Sequence, residues 1–240
     1  MKKIVLVFFA FLVATSSFSQ TKKNTSKADL ASRTGDHIML QLATDHWAGM
    51  PDSIKSHTKG LSRGANVYVM MDKPFKNNPR FSAAFGIGFG TANMYFKNYE
   101  VNIKSTATKL PFTALDSADH FKKYKLTTAY LEVPVELRFI DNPLKNNKSF
   151  KAAIGVKVGT LLNVHTKGKT LQNKTGGTAN AFTQKETNKR FFNSTRLAVT
   201  GRVGYGNFSL YGSYQITSLF KDGVAPQIKP FELGICLSGL

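Results

Sequence analysis

Apolar and polar residues alternate along most of the chain, most clearly from Tyr130 to Phe139. Leu131, Val133, Val135, Leu137 and Phe139 share one parity, and Glu132, Glu136 and Arg138 share the other. That is the period of a β-strand with one apolar and one charged face. Seven further runs follow the same rule: Ile38 to His46, Ala65 to Asp72, Phe81 to Gly90, Phe150 to Leu162, Arg196 to Tyr205, Phe208 to Ile216 and Phe231 to Ser238. Most approach the roughly 9–11 residues that a tilted strand needs to cross a bilayer. An apolar face can meet a protein core or lipid, so the alternation alone leaves the solvent open.

The connections favour lipid. Short links follow every second run: Lys73 to Arg80 with Pro74 and Pro79, Asn142 to Lys148 with Pro143, and the Gly206-Asn207 hairpin. Long polar links occupy the other positions, at Trp47 to Gly64, Thr91 to Lys125, Thr166 to Phe192 and Thr217 to Lys229. Short turns at one rim and long loops at the other are the habit of outer-membrane barrels. The prediction is therefore an all-β protein, an eight-stranded antiparallel up-and-down transmembrane β-barrel. Aromatic residues cluster near the strand ends, among them Trp47, Phe81, Phe96, Tyr124, Tyr130, Phe150, Phe192, Tyr205, Phe208 and Phe220, where interfacial girdles are expected. Pro134, inside a strand with no free edge to excuse it, calls for a local bulge or bend.

Composition adds a compartment. Residues 1–19 have the form of a signal peptide: Lys2 and Lys3, an apolar stretch from Ile4 to Ala14, and Ser17-Phe18-Ser19 as a small-x-small cleavage site before Gln20. Residues 20–36 form a polar N-terminal segment, and residues 37–240 are left as the barrel domain. Charge or glycine interrupts every later apolar run, so a membrane-spanning helix is not expected there. Cys236 is the single cysteine, which excludes an intramolecular disulfide. With 33 Lys and Arg against 14 Asp and Glu, the chain carries a net charge of +19, which points to anionic partners.

The leader ending in Phe18-Ser19-Gln20, the segment Tyr130-Leu131-Glu132-Val133-Pro134-Val135, the Gly-rich run Ala153-Ile154-Gly155-Val156-Lys157-Val158-Gly159 and the overall size resemble the PorT-like outer-membrane β-barrel family. The resemblance implies an eight-stranded barrel integral to the outer membrane. It also implies an association with protein secretion in one branch and little about activity elsewhere. Leu240 stands where such barrels commonly end in an aromatic residue.

Inward parity places Glu132, Glu136, Arg138, Lys151, Lys157, Arg196 and Arg202 in the lumen. An eight-stranded barrel is narrow enough for side chains to fill, and a buried charge must be paired. The expectation is thus a lumen charge network acting as a plug. In the long loops Lys97, Lys122, Lys123, Lys125, Lys167, Lys169, Lys189 and Arg190 are candidates for contact with lipopolysaccharide phosphates. His37, His46, His57, His120 and His165 are scattered without metal-ligand spacing, so no metal, cofactor or catalytic residue is assigned. Gly86-Ile87-Gly88-Phe89-Gly90 alternates as a strand and is not read as a nucleotide loop. The functional reading is a non-enzymatic structural or interaction protein, possible partners being outer-membrane lipid, lipopolysaccharide and secretion or envelope proteins, not nucleic acid. The alternatives are a barrel enzyme acting on outer-membrane lipid, with His46 or His165 at the rim, and a soluble periplasmic barrel with an apolar lumen.

Overall fold

The computed structural model describes residues 38–239; the leader and the polar segment predicted at the N-terminus lie outside them. The strands are β1 (Ile38–Ala48), β2 (Arg63–Pro74), β3 (Phe81–Phe96), β4 (Tyr99–Val101), β5 (Phe112–Ala114), β6 (His120–Ile140), β7 (Phe150–Gln172), β8 (Thr178–Thr187), β9 (Thr195–Tyr205), β10 (Phe208–Gln215) and β11 (Lys229–Ser238). Eight of them form an antiparallel ring in the order β6-β3-β2-β1-β11-β10-β9-β7, closed by β6 against β7. Once β4, β5 and β8 are set aside, every ring neighbour is a sequence neighbour or joins the two chain ends. The eight predicted runs are the eight strands of this up-and-down barrel.

Pleating sends one parity outward and the other inward. Outside lies an exposed apolar band that includes Leu42, Val69, Phe85, Ile87, Val133, Val135, Ile154, Val156, Val203, Leu210 and Ile235. Its lower rim, beside the short turns, carries the exposed rings of Phe75, Phe81, Phe150, Tyr205 and Phe208. Inside, the buried positions are largely polar. A soluble barrel with an apolar lumen requires the opposite arrangement, so that alternative is overturned.

The structure differs from expectation at the long-loop rim. Strands β3, β6 and β7 run well beyond the predicted ends, and the second and third long links hold a β4–β5 hairpin and strand β8. The extensions of β3 and β6 keep the inward parity and invert its chemistry, whereas in β7 the bulge opposite Ala129/Tyr130 moves the buried positions from Lys157, Gly159 and Leu161 to Val164, Thr166 and Gly168. Along β6, Glu132 and Glu136 point inward in the apolar-band region, but above it the inward side chains are Tyr124, Leu126 and Tyr130, while Lys123 and Lys125 face out. These apolar residues join Trp47, Phe96, Phe192 and Phe220 from other strands and loops in one packed core over the barrel mouth. Several aromatics expected in a girdle, including Trp47, Phe96, Tyr124, Tyr130, Phe191, Phe192 and Phe220, are instead buried in this lid. They bury more apolar area there than at a headgroup boundary.

Pro134 also departs from expectation, since no bulge accompanies it. Its pairing with Lys157 on β7 is regular, while pairing with β3 stops between Phe85↔Val135 and Gly88↔Glu132 and resumes in the same register. The missing amide donor thus costs a short gap in one ladder. The bulge of β6–β7 lies at Ala129/Tyr130, where the inward chemistry changes. Replacing Val156, midway along the part of β7 that carries the exposed apolar residues Phe150 to Leu162, by Arg should reduce folding stability in phosphatidylcholine vesicles by about 2–4 kcal/mol. A denaturant titration showing a loss well below about 1 kcal/mol would place that face outside hydrocarbon.

Candidate functional site

Two charge assemblies stand out, one inside the barrel and one on the outer surface above the apolar band. The inner one forms two clusters. In the first, Arg196 on β9 reaches across the lumen, its Nη1 donating to Glu132 Oε1 at 2.9 Å and its Nη2 to Glu232 Oε1. Lys157 Nζ lies 3.3 Å from Glu232 Oε2 and 3.7 Å from Glu132 Oε2. Tyr68 donates to Glu132 Oε2 at 2.5 Å and Tyr211 to Glu232 Oε2 at 3.0 Å. Two carboxylates therefore meet two cations, and two phenols occupy remaining lone pairs. The guanidinium of Arg196 also lies over the Tyr130 ring, 5.2 Å from its centroid, which ties the cluster to the lid.

Glycines make room for it. A Cβ on Gly90 would sit 2.6 Å from Glu132 Oε2, and one on Gly159 would sit 3.0 Å from Glu132 Cγ. Gly90 on β3 and Gly159 on β7 thus give clearance to a buried carboxylate, while Gly86 and Gly88 lie against Met70 and Tyr68 of β2.

The second cluster lies toward the short turns. Glu136 Oε2 accepts from Arg138 Nε at 2.8 Å and from Arg202 Nη2 at 3.0 Å. Asp72 stands 3.7 Å from Arg138 Nη1 and accepts from Ser82 at 2.7 Å. Lys151 is buried at the same end. All seven lumen residues named from the sequence are inward and buried. Glu232, Asp72, Tyr68 and Tyr211 complete the clusters, and the available signal for them was the same inward parity.

The outer assembly arises from strand register. On the outward face above the band, Lys125 pairs with Lys167, which pairs with Lys185 on β8, and Lys123 pairs with Lys169. Five lysines thus share one face of a three-stranded sheet. Like charges directly opposite one another are destabilising. Burial, followed by Lys167 and Lys169, holds the Lys125 ammonium below its usual range. Its Nζ is anchored by Asn93 Oδ1 at 2.6 Å and lies 5.7 Å from the Tyr95 ring centroid. His165 at the foot of the sheet is likewise pushed down, by burial and then by Lys185, Lys125 and Lys167.

The other predicted contact residues are dispersed. Lys97 and Lys122 are exposed, Lys189 Nζ donates to the Leu162 carbonyl at 3.3 Å, and Arg190 donates to the Ser105 carbonyl and lies over Phe191. Lys185 belongs to the basic residues of the third long link, and only the β7–β8 register brings it beside Lys167.

The histidines have ordinary partners. His46 meets Thr44 Oγ1 at 3.1 Å and stacks on Phe231, and His165 meets Asn163 Oδ1 at 3.0 Å. His57 links the first long loop to the second: its Nε2 is 3.0 Å from Asp116 Oδ2, and its Nδ1 is 2.9 Å from the Ser53 carbonyl. The Asp116 bond first, and the Ser53 carbonyl second, raise the His57 pKa above the usual 6.5, while the His57 bond lowers Asp116 below 3.8. Nothing in the sequence signals this pair, which is 59 positions apart. Among the described residues no cluster of three His, Cys, Asp or Glu side chains is arranged to hold a metal ion.

Two outcomes follow from these geometries. Arg196→Met leaves Glu132 and Glu232 short of a buried partner and should destabilise the barrel by about 3–5 kcal/mol in a denaturant titration; a change below about 1 kcal/mol would show that water enters the cluster. The His57 contribution is complete below pH 6.5 and is lost as pH rises through the higher folded value, while that of Asp116 is present above pH 3.8 and is lost as pH falls through its lower folded value. NMR titration should therefore find His57 with a midpoint above 6.5, and Asp116→Asn should bring it down; no response to Asp116→Asn would remove the ion pair.

A family model described as outer membrane protein beta-barrel domain matches residues 11–221. No curated protein matches the chain. Among solved structures the chain is similar to Ail, the attachment invasion locus protein of Yersinia pestis, in complex with the heparin analogue sucrose octasulfate, at 14% identity over 86% of this chain and 99% of that chain with a TM-score of 0.36. It is also similar to Ail in a phospholipid bilayer nanodisc, at 17% identity over 85% of this chain and 99% of that chain with a TM-score of 0.29.

Proposed function

The chain belongs to the outer membrane protein β-barrel domain family and is an integral outer-membrane protein, and from that premise we propose that it is a non-enzymatic structural or interaction barrel whose lysine face binds lipopolysaccharide phosphates. The observation that carries this reading is the row Lys125–Lys167–Lys185, with Lys123 opposite Lys169, just above the apolar band on the outside of the barrel. Like charges in cross-strand register carry an electrostatic penalty. Phosphates of the outer leaflet, held at that height by their own acyl chains, offset it with charge-assisted hydrogen bonds.

The lumen supports a closed, structural barrel. Glu132, Glu136, Arg138, Lys157, Arg196 and Arg202 are bound to one another or to Glu232 and Asp72, and an apolar lid lies over one end. The histidine geometry supports a non-enzymatic role. Ser56 Oγ lies 3.1 Å from His57 Nδ1, but that nitrogen lies closer to the Ser53 carbonyl, at 2.9 Å, and Nε2 faces Asp116, an acceptor at each nitrogen that favours the protonated ring over a free base. Membership of the PorT-like branch, an accessory role in secretion, and the division into a leader, a polar segment and a barrel domain belong to the same proposal, supported by the Tyr130–Val135 segment and by the signal-like N-terminus.

The test is the thermal stability of purified barrel with and without lipopolysaccharide. Wild type should gain stability on adding lipopolysaccharide and less on adding its dephosphorylated form. A Lys125→Gln, Lys167→Gln, Lys185→Gln triple variant should melt about 2–4 °C higher than wild type without lipid, because repulsion of order 1 kcal/mol is relieved, and should lose the phosphate-dependent gain. A variant indistinguishable from wild type in both conditions would sink the reading.

A further inference from the structure

Strand β8 is an edge. It pairs with β7 from His165↔Thr187 to Gln172↔Thr178, and among the described residues no strand pairs with its other side. Nine of its ten residues are exposed. Proteins ordinarily protect such edges with proline, charge, bulges or short length, because a row of unpaired amides and carbonyls is a template for another strand. From Thr178 to Gln184 β8 has neither proline nor charge, and at ten residues it is longer than a typical strand. The irregularities in the β7–β8 ladder lie toward the hairpin tip, between Lys169 and Gln172, and leave Thr183 to Thr187 in regular register.

The two faces beside this edge differ. One carries Lys185 and continues into the lysine face through Lys167 and Lys125. The other carries Phe182, 40% exposed, whose ring meets Phe121 edge-on at a centroid distance of 5.7 Å. A strand added here would place alternate side chains on these two faces.

We propose that the free edge of β8 docks an extended segment of a partner protein by strand addition, the segment carrying acidic residues on the lysine side and apolar residues beside Phe182. Main-chain hydrogen bonds along the edge supply affinity, and the alternation of side chains supplies specificity. Charge selects the occupant. A second copy of this chain would bring a second set of five lysines alongside the first, whereas an acidic segment meets a complementary field. The inference goes beyond lipid contact, because it requires backbone pairing at an edge and not only attraction to a face.

The experiment uses the barrel in phosphatidylcholine nanodiscs free of lipopolysaccharide. The probe is a labelled, end-blocked ten-residue peptide of alternating Glu and Val, compared with the same peptide N-methylated at four consecutive central residues and with an alternating Lys and Val peptide. Strand addition predicts that the acidic peptide binds, that N-methylation weakens binding by at least about tenfold through loss of its amide donors, and that the basic peptide fails to bind. Lys185→Glu, at an exposed position, should keep the heat-modifiable migration of a folded barrel while lowering affinity for the acidic peptide. Equal binding of the methylated and unmethylated peptides would reduce the interaction to attraction by the lysine face and overturn the proposal. So would absence of binding by the acidic peptide, or peptide-free pairing of two barrels through β8.

Discussion

The structure depends on one constraint: a closed ring of eight strands encloses a space filled by side chains, and any charge placed there must find its partner inside. Glu132 and Glu232 would each be costly in that space alone. They are tolerable because Arg196 and Lys157 reach them from other strands and because Tyr68 and Tyr211 occupy the remaining acceptor sites. Removal of Cβ at Gly90 and Gly159 gives the carboxylate of Glu132 its room. Strand order, register and glycine placement all serve this pairing, and a slip of one residue would turn every charge toward the apolar surroundings.

A second relation follows from the first. The inward parity of β6 is continuous from Tyr124 to Arg138, but its chemistry changes from aromatic and aliphatic to charged near Tyr130. Outward, the chemistry changes in the opposite sense, from lysine to valine and leucine. Where the outside is hydrocarbon, the inside can be polar provided it is paired. Where the outside is water, the inside becomes an ordinary apolar core. The β6–β7 bulge at Ala129/Tyr130 lies at this boundary, and the lysine face stands directly above it. The lid, the boundary and the proposed anion surface are therefore consequences of the same few strands running past the bilayer.

The parts legible in the sequence were those carried by period 2 within a single strand. That is why eight runs read from the sequence became eight ring strands, and why the residues assigned inward parity are buried. The lid was not legible, since an aromatic near a strand end satisfies a girdle and a loop core equally well; Phe81 and Phe208 took the first place, and Trp47 and Phe192 the second. The ends of β3, β6 and β7 were hidden for a related reason. Their upper segments alternate too, but with apolar residues inward, and against a membrane template that pattern resembles a polar loop. Pro134 was legible as an anomaly but not in its resolution, which is a gap in one ladder and not a bulge.

Within the membrane-spanning runs the sequence by itself determined which side chains share a face, because that depends only on the pleat of each strand; above them the β6–β7 bulge sends Lys167 outward although it has the parity of the inward Lys157. The sequence did not contain the identity of their partners. Arg196 is 64 positions from Glu132, and Lys185 is brought beside Lys167 by a hairpin register. Closure of the ring and the registers of β7 decided those meetings, since electrostatic and packing energies depend on distances in space that no local pattern encodes.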